Sequence, residues 1–156
     1  MKDITIRYLA DCREHIPTLA QWFHDEWGYM HKGSSVEQEA ERIENCLNHD
    51  TIPMVIIAEK NGEILGSASI VEHDMDTHTH LSPWLASVYV KRQCRRKGIG
   101  TILVKRILEE STKLGIKALF LFTPDRSQFY EKFGWKTIEE PVYKHQKVYV
   151  MHFKHP

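Results

Sequence analysis

The chain lacks any apolar run approaching the roughly 20 residues that span a bilayer, and its opening MKDITIRYLADCREHIPTLA lacks the basic-then-apolar layout of a secretory leader. No membrane partner is expected, and the expected location is cytoplasmic. Cysteine is scarce: Cys12, Cys46 and Cys94 are odd in number and widely spaced, without the paired spacing of a zinc ribbon or redox motif, so free thiols are expected. Repeats, low-complexity tracts and Pro/Ser-rich linkers are missing too, and 156 residues suit a single domain, 1–156. Net charge is absent as well, with 21 basic residues balancing 21 acidic ones, which argues against a general nucleic-acid or membrane binder.

What is present is a globular composition, 42% apolar, 10% aromatic and 27% charged. The zero total conceals a division. Residues 1–78 carry six Lys/Arg against fifteen Asp/Glu, and residues 79–156 carry fifteen against six. One half suits a cation and the other an anion, unless folding intermixes them.

Periodicity supplies the elements. ITIRYL at 4–9 is a short β-type run, and Asp11 is placed to cap a helix bearing Ile16, Leu19, Ala20, Phe23 and Trp27 at three- and four-residue steps. After Gly28 and Gly33-Ser34-Ser35, a second helix carries Val36, Ala40, Ile43 and Leu47. PMVIIAEK and ILGSASIVEH flank Asn61-Gly62 as a hairpin, and WLASVYV at 84–90 reads as a central buried strand. A helix follows Gly98, with Ile99, Leu103, Ile107 and Leu114 on one stripe, Ile102 beside it and Gly115 as its stop. IKALFLF is a further buried strand. Asp125 and Gln128 have capping-box spacing for a short helix over 126–133 ended by Gly134, and WKTI and KVYVMHF close the chain as strands. The order βααβββαβαββ predicts a mixed α/β (α+β) fold with helices covering a central sheet.

The strongest chemical signal is Arg95-Arg96-Lys97-Gly98-Ile99-Gly100, set between the central strand and an amphipathic helix. Glycines let backbone amides face a ligand closely, and a helix start adds about half a positive charge, so a diphosphate is the natural guest. Lys91, Arg92, Arg95, Arg96 and Lys97 would complement further phosphate charge; a plain strand-to-helix turn with a solvated basic rim is the competing description. The spacing is neither that of a Walker A loop nor of GxGxxG.

Here the sequence resembles the GNAT family of N-acetyltransferases. Arg95-x-x-Gly98-x-Gly100 matches the family's Q/R-x-x-G-x-G/A acyl-CoA signature, and Phe129-Tyr130-Glu131-Lys132-Phe133-Gly134-Trp135 matches its second landmark. The resemblance implies a GNAT fold and acetyl-CoA as cofactor. The pyrophosphate would rest on the amides of residues 96 to 101, that is Arg96, Lys97, Gly98, Ile99, Gly100 and Thr101. Val88 and Val90 would offer backbone groups to the pantetheine arm, with Phe129 on its other side. Departures from the pattern are Arg92 for a proline, Arg96 for a glycine, and Thr123 for an asparagine that would bond the cofactor.

The reaction implied is direct attack of a primary amine, on a small molecule or a peptide, at the acetyl-CoA thioester, with no metal. Backbone amides of the 84–90 strand would meet the carbonyl oxygen, and Tyr130 would protonate the leaving thiolate. Without the landmark, Tyr130 reads as a core aromatic between Phe129 and Phe133. Some relatives carry a glutamate near the start of the central strand; this chain has Pro83-Trp84-Leu85 there, so the base is sought among His73, Asp74, Asp76, His78 and His80, with His80 chosen. The histidine spacing fits no recognised metal site. The acceptor is expected between the helix linker and the last hairpin, against Glu26, Trp27, Tyr29 and Trp84, where Glu26 suits a cationic amine. The alternatives are a non-catalytic acyl-CoA sensor on the same fold and a nucleic-acid contact through KRQCRRK, the latter disfavoured by the zero net charge. A homodimer is expected from the way the last strands of this fold pair between subunits.

Overall fold

Strand alternation decides the layering. In β2 (Met54–Lys60), Met54, Ile56 and Ala58 face one side and Val55 and Ile57 the other, all buried. β3 (Glu63–Val71) returns antiparallel through Asn61 and Gly62, whose φ values of 52° and 80° are those of a type I′ turn. The computed structural model describes residues 3–156. Its remaining strands are β1 (Thr5–Tyr8), β4 (Trp84–Val90), β5 (Ala118–Thr123), β6 (Lys136–Glu139), β7 (Val142–Tyr143), β8 (Gln146–Lys147) and β9 (Tyr149–Lys154). Seven of them form one sheet in the order β1-β2-β3-β4-β5-β9-β6, with β4 central. Every neighbouring pair is antiparallel except β4–β5.

Helices cover both faces. α1 (Ile16–Trp27) and α2 (Val36–Glu44) bury Leu19, Ala20, Phe23 and Ile43 against Val55 and Ile57. α3 (Ile99–Lys113) lays Ile99, Leu103, Val104 and Ile107 on the opposite face, together with Tyr130 of α4 (Ser127–Glu131). No helix among the described residues is long and apolar enough to cross a membrane.

Three local expectations need correction. Asp11 does not cap α1; it ends a 3-10 turn and its carboxylate takes a hydrogen bond from His49 at 2.7 Å, while α1 starts five residues later with Pro17 in its first turn. Asp125 does not cap α4, because the Thr123 hydroxyl accepts from the Arg126 amide at 3.0 Å and the helix is confined to 127–131. Between the last two predicted strands the chain makes an additional two-residue hairpin, β7–β8, which turns through Lys144 and His145 at positive φ.

One polar hub ties the sheet edge to a helix. Glu110 of α3, with only 2% of its side chain exposed, accepts from the Tyr8 hydroxyl of β1 at 2.6 Å, from Arg106 at 2.9 Å and from Lys113 at 3.3 Å. Burial pushes the Glu110 pKa up, but these donors outweigh it and hold it below its ordinary 4.5. A carboxylate depressed in the fold contributes stability above its unfolded pKa and loses it as pH falls through the folded value. Thermal melts should therefore show the wild type weakening below pH 4.5. Glu110→Gln should cost about 1–3 kcal/mol at pH 7 and flatten that acid limb; an unchanged limb would remove Glu110 from the explanation.

Candidate active site

The parallel pair β4–β5 meets at one register point, Trp84 with Phe120, secured by the Phe120 amide donating to the Pro83 carbonyl at 3.0 Å. Beyond it the strands part. The gap opens into a cleft of about 1370 Å³ lined by residues 85–90 of β4, by Leu121 to Arg126 after the split, by the glycine loop and by the α1–α2 linker.

The glycine loop forms one end. Gly98 has φ +88°, a conformation that side-chain-bearing residues rarely adopt, and Arg96 is held at +63°. No side chain caps α3, so its first-turn amides face the cleft without that partner. A Cβ on Gly100 would stand 3.5 Å from Phe129 and 3.7 Å from Val90, so the absence of a side chain there keeps the passage between them open. Uncapped amides, a helix N-terminus and a strand edge left free by β5 together fit a pyrophosphate with an extended arm behind it. That is the shape of coenzyme A.

The expected cofactor residues converge here with one exception. Val88, Val90, Arg95, Arg96, Gly98, Ile99, Gly100, Thr101, Thr123 and Phe129 all line the cleft, whereas Lys97 is exposed outside its lining. Arg95 is not a free cation: its Nε donates to the Val90 carbonyl at 2.8 Å and its guanidinium lies 5.3 Å from the Tyr89 ring centroid. It fastens the loop to β4. Lys91 is likewise engaged, by Glu63. Thr123, besides lining the cleft, uses its hydroxyl to hold the turn into α4.

Tyr130 lies on the cleft wall, packed edge-on against Phe129 at 5.0 Å and Trp135 at 6.1 Å. Burial pushes its pKa far above the ordinary 10, which keeps the hydroxyl protonated. Among the described residues nothing hydrogen-bonds that hydroxyl.

Two expected residues fall elsewhere. Trp84 is fully buried, its Nε1 donating to the Leu81 carbonyl at 2.8 Å and its ring packed on Phe120 and Phe122, because it closes the base of the split. It is core, not acceptor wall. His80 is exposed and outside the cleft lining, stacked on His78 at 5.8 Å; His78 in turn is tied to Glu139 of β6 at 2.8 Å. That anchorage turns the β3–β4 connection so that His73 and Asp74 reach the cleft instead. Glu26, Trp27 and Tyr29 do line it, and the Tyr29 hydroxyl accepts from Gln146 of β8 at 3.0 Å, bridging the helix linker to the last hairpin.

Asp74 is the notable carboxylate. It lies in the cleft lining with much of its surface open to solvent, no ion pair engages it among the described residues, and desolvation by the surrounding protein pushes its pKa up to about 7. Glu26 is similarly unpaired, whereas Glu39 is bound by Arg42 at 2.6 Å. Residues missed in the sequence include Tyr89, which stacks on Trp22 at 5.0 Å to form a wall, and Gly66, where a Cβ would stand 2.6 Å from the Tyr89 carbonyl. The small-residue run Gly66-Ser67-Ala68-Ser69 was the available signal for that close strand approach.

Comparison with known proteins agrees with the geometry. The acetyltransferase (GNAT) family profile matches residues 16–135. A protein of Chlorobaculum tepidum named as an uncharacterised N-acetyltransferase is 26% identical over 122 residues, covering 78% of this chain and 71% of the relative. Among solved structures, an aminoglycoside 6'-N-acetyltransferase complexed with coenzyme A superposes with a TM-score of 0.77 at 16% identity over 96% of both chains. A Salmonella typhimurium protein solved with its cofactor acetyl-CoA gives 0.75 at 15% identity, over 98% of this chain and 94% of that one. At such identities the structural likeness is one of fold. The family match takes in well over half of the sequence, and the chain therefore belongs to the GNAT family as an acetyl-CoA-dependent N-acetyltransferase.

Proposed function

We propose that the enzyme acetylates a primary amine on a cationic acceptor, with Asp74 as proton acceptor and Tyr130 as proton donor. The observation that carries the acceptor class is that Glu26 and Asp74 face one cleft with no cationic partner among the described residues. Two unpaired carboxylates beside Trp27 and Tyr29 favour an ammonium over a neutral or anionic amine. An aminoglycoside, the acceptor named for one structural neighbour, is chemistry of that kind.

Acetyl-CoA supplies an activated thioester. The protein's tasks are to deprotonate the amine, bind the carbonyl oxygen and protonate the leaving sulfur. An alkyl ammonium with a pKa near 10.4 is almost wholly charged at neutrality, so a base must take its proton. Asp74, raised to about 7, is matched to that task better than an ordinary carboxylate. Tyr130, kept protonated by burial, holds a proton at the cleft wall for the sulfur.

Three outcomes test this. In calorimetric titrations with acetyl-CoA, Gly98→Glu should abolish binding while the protein stays folded. Gly98→Ala, which shares the backbone strain but not the charge, should only weaken it; equal binding by both would refute the pyrophosphate assignment. Tyr130→Phe should lower kcat by roughly a hundredfold or more, with cofactor Kd moving less than about threefold, and full activity would end its role as donor. With an amine panel read by thiol release, di- and polyamines should outperform anionic amino acids. For the best acceptor, kcat/KM should climb with pH up to about 7, and Asp74→Asn should remove that limb. A limb that survives the substitution excludes Asp74 as base.

A further inference from the structure

Strand β4 is irregular at its centre. Ser67 of β3 pairs with Tyr89, yet Ser69 pairs with Ala86, so two steps along β3 span three along β4. The extra residue is accommodated at Ser87, whose φ of +54° lies in the left-handed region. In a regular strand, successive carbonyls point alternately to the two neighbouring strands. Here two successive carbonyls point the same way. Ala86 accepts a hydrogen bond from the Ser69 hydroxyl at 2.8 Å, and Ser87 accepts one from the Ser67 hydroxyl at 2.9 Å. Both serines are buried, at 2% and 0% exposure.

Peptide planarity converts this into a statement about donors. The amide N–H of Ser87 belongs to the same planar unit as the Ala86 carbonyl, and that of Val88 to the same unit as the Ser87 carbonyl. With both carbonyls turned toward β3, both N–H groups turn away from it, toward the side where β5 has parted and the cleft lies. Two adjacent N–H groups side by side form a concavity for a negatively charged oxygen. The backbone alone does not choose this arrangement, because a buried carbonyl with no partner would turn until it found one.

We propose that Ser67 and Ser69 are positioning residues, whose hydroxyls hold the Ala86 and Ser87 carbonyls so that the Ser87 and Val88 amides receive the thioester oxygen. The proposal rests on the acetyl-transfer reading and adds a cause for the alignment of its oxyanion donors. Neither serine touches the reacting atoms in this role. Preorganised donors matter most where charge develops, so a small reorientation has a disproportionate effect.

The test needs no acceptor. Acetyl-CoA labelled with ¹³C at the acetyl carbonyl is bound to saturation, and its carbonyl chemical shift reads the strength of the hydrogen bonds made to that oxygen. In the wild type the signal should move from its free position. In Ser67→Ala and Ser69→Ala it should return by roughly half or more toward the free value, while Kd for acetyl-CoA changes less than about threefold, because the pyrophosphate loop is untouched. Ser67→Thr, which keeps the hydroxyl, should restore the wild-type position. Ser67→Cys, nearly the same size but a weak donor, should resemble alanine and provides a folded comparison if the alanine variant is unstable. The same shift in every variant, or a change that appears only with a Kd weakened about tenfold or more, overturns the role of the serines alone. Wild-type protein that binds acetyl-CoA with no shift overturns the placement of the oxygen at Ser87 and Val88. Wild-type protein that binds none overturns the cofactor reading on which the proposal rests.

Discussion

Trp84 and Phe120 hold β4 and β5 together at one point, and the fold's chemistry depends on how firmly they do so. Around that point the two rings, with Phe122, Tyr143 and Val150, form an apolar cluster centred on the fully buried Trp84. Burial of side chains this large stabilises by about 1.5–3 kcal/mol each, enough to anchor a parallel pair whose remaining backbone groups are left unsatisfied by one another. Above it, the unsatisfied edges face the cleft. A sheet closed along its full length would have no place for an extended arm; one open along its full length would divide into two. The Trp84–Phe120 point prevents that second outcome, while the other edge of β5 is fully paired with β9 over six residues, from Ala118 to Thr123.

The split also organises charge. The acidic first half of the sequence contributes Glu26 and Asp74 to one part of the cleft, and the basic second half contributes Arg96 and the uncapped start of α3 to the loop. The halves meet at the rim, where Arg42 and Asp125 also line the cleft, yet Glu26 and Asp74 come from the first half and the loop cations from the second. Several other charges are engaged by close partners: Arg42 and Lys91 are ion-paired with Glu39 and Glu63, and Arg95, still charged, is held by the Val90 carbonyl and the Tyr89 face. What remains unpaired is therefore informative. An anion-accepting loop and cation-accepting carboxylates, set about a common passage, suit a polyanionic donor and a cationic acceptor.

Much of this was legible in one dimension because the relevant physics is local. Asn61-Gly62 can hardly be anything but a tight hairpin, and Gly98 stands where a left-handed residue must precede a helix. Ile16, Leu19, Ala20 and Phe23 of α1 and Ile99, Leu103 and Ile107 of α3 are buried where their spacing put them, while Trp27 and Leu114 at the ends of those stripes are half-buried. Errors arose where one residue's fate depended on a distant partner. Asp11 had the character of a cap but bonds His49, thirty-eight residues away. Trp84, an aromatic next to the expected acid position, is drawn into the core by Phe120 and Phe122, and His80 is held outside by the attachment of His78 to Glu139.

The sequence by itself determined the family, the glycine loop, the tyrosine landmark and the alternation that gives the sheet two covered faces. Each of these follows from residues a few positions apart, whose conformational preferences and polarity act without help. Tertiary structure alone decided where β4 leaves β5, which carboxylate of the β3–β4 connection reaches the cleft, and that two buried serines turn the β4 carbonyls to one side. The reason is that these depend on register. A slip of one residue between β3 and β4 points a backbone amide to the opposite side, and no property of Ser67, Ser69 or Ser87 taken singly records that slip.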